Sequence, residues 1–139
     1  MSWDVMILSK EGTPHVLSNL PPGWKPVPMG DVAIIRDKIN RTVKHINWSD
    51  PAWGIYDKKG LSIEFNLQKS GQVESFALHI RGKGDPIPII KSLCELNDWV
   101  AVDYSNSTQI DFEADPESGW QRFTKYRDSV IKALRNKSA

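Results

Sequence analysis

The chain has 139 residues, enough to bury one core and too few for two ordinary domains. Hydrophobic residues at 40% and charged residues at 25% exclude a disordered or collagen-like chain and argue against membrane spans. With 18 basic and 17 acidic residues the formal net charge is +1, so no overall field draws the molecule to nucleic acid or to an anionic membrane.

Residues 3–9 are predicted to form a largely buried strand, closed by the turn Lys10-Glu11-Gly12. Asp4 interrupts this apolar stretch and no basic region precedes it, unlike a secretory signal, so a cytoplasmic location is expected. Pro21-Pro22-Gly23-Trp24-Lys25-Pro26-Val27-Pro28 must be an extended surface loop, because each proline fixes its own φ and restricts the residue before it.

After Gly30, apolar residues recur in steps of three and four at Val32, Ile35, Ile39, Val43 and Ile46, which predicts an amphipathic helix. Trp48-Ser49-Asp50-Pro51-Ala52-Trp53-Gly54 reads as a breaker, and Ile55-Tyr56 leads into the hairpin turn Lys58-Lys59-Gly60. From 61 to 67 the chain alternates: Leu61, Ile63, Phe65 and Leu67 turn inward, Ser62, Glu64 and Asn66 outward. The next strand places Phe76, Leu78 and Ile80 inward, with His79 and Arg81 outward, and should pair with its predecessor.

Gly82-Lys83-Gly84 ends that strand, and Asp85 as N-cap with Pro86 behind it starts a helix carrying Ile87, Ile90, Leu93 and Cys94 on one side. A second hairpin follows, with Val100, Val102, Tyr104, Thr108, Ile110 and Phe112 on one set of positions and Asp103, Gln109 and Asp111 pointing away. Ser118 with Gln121 resembles a capping box for a last helix bearing Trp120, Phe123, Tyr126, Val130 and Leu134. The whole predicts one α+β domain over residues 1–139, in order β-α-β-β-β-α-β-β-α. Its sheet is mainly antiparallel, of about five to six strands, with the helices on one face.

The chemistry-bearing residues gather on the other face. Glu64, His79 and Arg81, with Asp103 and Asp111 nearby, join carboxylate, imidazole and guanidinium on one surface, a set suited to acid–base work or anion binding. Cross-strand charge pairs on a solvated sheet look the same, so no residue is assigned a catalytic role. Gly82-Lys83-Gly84 lacks the flanking residues of a phosphate loop and reads as a tight turn. Cys94, the single cysteine, falls on an apolar helical stripe and leaves no partner for a disulfide. His15, His45 and His79 share no metal-ligand spacing; neither metal nor other cofactor is expected. Of the six tryptophans, Trp24, Trp48 and Trp53 sit in irregular segments, where aromatic rings either plug a core edge or anchor a partner.

The opening Met1-Ser2-Trp3-Asp4-Val5-Met6, Trp48-Ser49-Asp50-Pro51-Ala52-Trp53-Gly54, Ser62-Ile63-Glu64-Phe65-Asn66, Leu78-His79-Ile80-Arg81-Gly82 and Gly119-Trp120 together resemble a family of small uncharacterised bacterial proteins, which implies no activity. In size and in lacking catalytic motifs the chain is also similar to immunity proteins of bacterial toxin systems. That resemblance implies a protein partner, a cognate toxin domain, engaged through the polar sheet face and the loop tryptophans; oligomeric state stays open. The competing expectation is a small hydrolase or anion-binding enzyme using Glu64, His79 and Arg81 in a concave pocket.

Overall fold

The computed structural model describes residues 1–138. Along them run β1 (Trp3–Ser9), β2 (Gly30–Asp31), α1 (Val32–Thr42), β3 (Asn47–Asp50), β4 (Trp53–Lys58), β5 (Leu61–Asn66), β6 (Gln72–Val73), β7 (Ser75–Gly82), α2 (Ile87–Asn97), β8 (Trp99–Asp103), β9 (Thr108–Gln109) and α3 (Ser118–Ser138). Seven strands form one antiparallel sheet in the order β3-β4-β5-β7-β1-β8-β9, and β2 pairs with β6. The α+β class and the helices on one face are as expected, while the strand count is larger. Trp48, Ser49 and Asp50, read as part of a breaker, belong to β3, which pairs with β4, and only Pro51 and Ala52 carry the turn. There the Asp50 carboxylate accepts the Ala52 N–H at 2.9 Å, the local bond that lets an aspartate close a turn.

Period-two alternation builds the core. Trp3, Val5 and Ile7 of the central strand β1 share one face with Leu61, Ile63 and Phe65 of β5 and Phe76, Leu78 and Ile80 of β7, all buried. Against them α1 lays Val32, Ile35 and Ile39, and α2 lays Ile87, Ile90, Leu93 and Cys94. Each helix starts on an aspartate: Asp31 accepts the Ala33 N–H at 3.1 Å and Asp85 accepts the Ile87 N–H at 3.0 Å. α1 stops earlier than its stripe suggests, since Val43 is extended and His45 is left-handed at φ 67°. Val43 and Ile46 therefore reach the core from beyond the helix end. α3 docks through Trp120, whose ring lies 5.6 Å from that of Trp3. The expected capping box is not what starts it: the Ser118 hydroxyl donates to Asp115, and the Gln121 N–H goes to the Glu117 carbonyl.

One strand faces opposite to expectation. Val5 pairs with Asp103 and Ile7 with Ala101, so Trp99, Ala101 and Asp103 point toward the helices and Val100 and Val102 point away. Alternation misleads here because both faces of β8 are covered. Leu8 and Val102 are each 1% exposed yet lie outside the main core cluster. At that end of the sheet residues 14–17 are tied to β9 and the turn before it, by Leu17 N–H to the Ser107 carbonyl, by the Val16–Thr108 bridge and by the Gln109 amide on the Pro14 carbonyl. The predicted strand through 112 is also shorter, ending at Gln109; Ile110 and Phe112 still pack on the core.

Candidate functional site

The antiparallel register decides which outward residues meet. Ile55 of β4 pairs with Glu64 of β5, Glu64 with His79 of β7, and His79 with Asp4 of β1, giving one row across four strands on the face away from the helices. Arg81, two residues beyond His79, returns diagonally so that its Nη1 donates to Glu64 Oε1 at 2.8 Å. His79 Nδ1 lies 2.8 Å from Asp4 Oδ1, which also accepts the Ser2 hydroxyl. Over the imidazole lies the Trp53 ring, 5.7 Å between centroids and 20° from parallel.

Of the residues the sequence singled out, the structure therefore brings Glu64, His79, Arg81 and Trp53 together. It separates the rest. Asp103 lies on the helix side, its side chain 3% exposed. Trp48 also turns to the helix side, where its indole N–H donates to Asn40 of α1 at 2.7 Å and its ring packs on Phe65 and under Arg36. It plugs the core edge, and the absence of a side chain on Gly54 makes room for it: a Cβ there would stand 2.7 Å from the ring. Trp24 is half-buried in the 10–28 segment, with its N–H turned onto the Pro21 carbonyl. Asp111 is exposed beyond β9, where the Ala114 and then the Glu113 backbone N–H groups hold its carboxyl below the ordinary aspartate value, so it closes a turn.

Asp4 belongs to the cluster and sequence reasoning passed over it. The signal was present: with Trp3, Val5 and Ile7 inward, Asp4 had to face outward. What the alternation did not contain was the order of strands, which sets β1 next to β7.

Chemically, the cluster is a balanced set. Each basic side chain touches a carboxylate, His79 on Asp4 and Arg81 on Glu64, which leaves no uncompensated positive charge to hold an anion. Four surface cavities, of about 400, 440, 200 and 300 Å³, have none of Glu64, His79 or Arg81 in their walls, and Asp4 alone of the cluster lines the second. Cys94 lies on the helix side of the sheet and cannot meet His79; burial pushes its thiol up to about 12. Among the described residues no group of three His, Cys, Asp or Glu side chains is placed to hold a metal ion, and no helix is long and apolar enough to cross a membrane.

Comparison with protein-family models, with curated proteins and with solved structures gives no match for this chain.

Proposed function

We propose that this chain is a protein-binding module, an immunity protein that neutralises a cognate bacterial toxin domain by direct contact with the uncovered sheet face. The observation that carries the proposal is the stripe of Ile55, Trp53, His79, Asp4, Glu64 and Arg81 on one uncovered surface. An aromatic ring held rigid by stacking, an Ile that is 40% exposed and paired charges around them form the usual anatomy of a docking centre with a polar rim. An enzyme would need those groups to converge on a cavity, and neither of the cavities of about 400 and 440 Å³ has Glu64, His79 or Arg81 in its wall. A net charge of +1 favours a toxin that is not strongly basic, because a basic nuclease calls for an acidic inhibitor. Action takes place in the cytoplasm of the cell that makes the toxin.

The test is co-expression in a bacterial host with the variable C-terminal domain of the large secreted protein expected to be encoded immediately upstream. The wild-type chain restores growth, and Trp53→Ala, which removes the central ring, weakens the complex by roughly 2 kcal/mol and loses protection. A metabolic operon upstream, or a wild-type chain that gives no protection, ends this proposal.

A further inference from the structure

At the edge where β1 begins and β8 ends, the N-terminal turns of α3 roof a cavity of about 440 Å³ whose wall includes Trp3, Asp4, Asp103, Tyr104, Arg122 and Tyr126. Asp103 Oδ1 is satisfied by the Ser105 N–H at 2.9 Å and the Ser105 hydroxyl at 2.7 Å. Its other oxygen, Oδ2, is buried without a hydrogen-bond partner, and so is the neighbouring Trp3 Nε1. The nearest cation, Arg122 Nη2, stands 3.8 Å from Oδ2 on a side chain that is 60% exposed. Burying a carboxylate this deep is unfavourable unless a cation meets it closely, and Arg122 stops short of hydrogen-bonding distance.

The α3 backbone comes this close only because residue 119 is glycine: a Cβ there would lie 2.5 Å from Asp103 Oδ2 and 2.9 Å from the Trp3 ring. The surroundings are those of a cation site. Asp4 adds a second carboxylate at the rim, and Tyr104 and Tyr126, 57% and 63% exposed, stand with Phe123 as aromatic walls. Aromatic faces and carboxylates together select an organic cation, and a guanidinium already approaches along that route from Arg122.

We infer that this cavity binds an alkyl-guanidinium or alkyl-ammonium group, which reaches Asp103 Oδ2 where Arg122 now approaches. The cavity shares Asp4 with the sheet-face stripe, but none of Glu64, His79, Arg81 or Trp53 lines it, so a failure of cation binding and a failure of toxin neutralisation are separate outcomes.

The experiment is a titration of the full chain, followed by the indole N–H resonance of Trp3 in ¹H–¹⁵N spectra. The probes are ethylguanidinium, n-butylammonium, n-butyrate, and a blocked tripeptide with arginine or citrulline at its centre. Both cations shift the Trp3 resonance saturably, while butyrate does not. An arginine peptide that binds about tenfold tighter than ethylguanidinium identifies a protein side chain as the source; equal or weaker binding identifies a small free cation. Asp103→Asn, which keeps the shape and removes the charge, weakens cation binding by about tenfold or more. Arg122→Gln, which removes the internal competitor, tightens it. Tyr104→Ala and Tyr126→Ala are exposed changes that leave the fold intact, and each weakens binding a few-fold whether or not the Asp103 variant folds. The inference is overturned if butyrate binds as well as the cations, if no cation shifts Trp3 at roughly 50 mM, where even millimolar binding would saturate, or if the two tyrosine variants bind like wild type.

Discussion

Gly82 and Gly60 show how one residue type answers to two different constraints. Both are left-handed, at φ +101° and +75°, but a Cβ on Gly82 would stand 2.0 Å from the Gly60 carbonyl oxygen, whereas a Cβ on Gly60 meets nothing within 4 Å. Gly60→Ala should therefore cost only the conformational term, about 1 kcal/mol, and Gly82→Ala at least about 3 kcal/mol. Urea unfolding measures both, with a lowered midpoint and an unchanged slope; equal losses would show that the β5–β7 junction yields. Cys94 supplies a pH test. Its folded value of about 12 lies above the ordinary 9.0, so below pH 9 the protonated thiol is bound equally in both states and folding keeps its full advantage. Between 9 and about 12 the unfolded chain has released a proton that the folded one retains, and stability falls as pH rises. From pH 9 to 10 the wild type should lose about 1 kcal/mol more than Cys94→Ala, and the native thiol should resist iodoacetamide at pH 8.

Among the elements, α3 is the least evenly held. Trp120 is buried against Trp3, Phe123 packs on Trp120, and Arg127 donates to the Gly82 carbonyl at the end of β7. From Ile131 to Lys137 every residue is exposed. Burial at one end only predicts a gradient along the helix: amides near Phe123 to Arg127 should be protected from hydrogen exchange far more strongly than those beyond Ile131. Uniform protection along all of α3 would mean that something else covers its far end. The anchor itself is aromatic, and Trp120→Ala should lower stability by about 3 to 4 kcal/mol. A loss below 1 kcal/mol would show that α3 is held by its backbone contacts alone.

For the molecule as a whole, the two faces of the sheet divide the labour. The helix face holds the fold together, and its large side chains, Phe65, Ile7, Ile35 and Leu78 among them, are almost completely buried. The open face holds paired charges whose removal costs little: Glu64 and Arg81 are 24% and 43% exposed, so the pair contributes under about 1 kcal/mol after solvent screening. A double-mutant cycle on Glu64→Gln and Arg81→Gln should give a coupling energy in that range, shrinking with added salt. A coupling of several kcal/mol would make this pair structural and weaken the case for the face as a docking surface. Substitutions on that face should leave the unfolding midpoint nearly unchanged.

Local patterning alone determined a great deal. Two-residue alternation placed Phe65 and Phe76 inside and Glu64 and His79 together outside, and three-and-four spacing found α1 and α2 with their aspartate caps, because those patterns follow from backbone geometry within a few residues. Where a strand is apolar on both sides the same rule has nothing to choose with, so which way β8 faces and the burial of Asp103 were fixed by register with β1. Tertiary structure alone also added Asp4 to His79 and turned Trp48 inward while leaving Trp53 outward. Those outcomes depend on which strands become neighbours, a relation between distant parts of the chain that no short-range periodicity encodes.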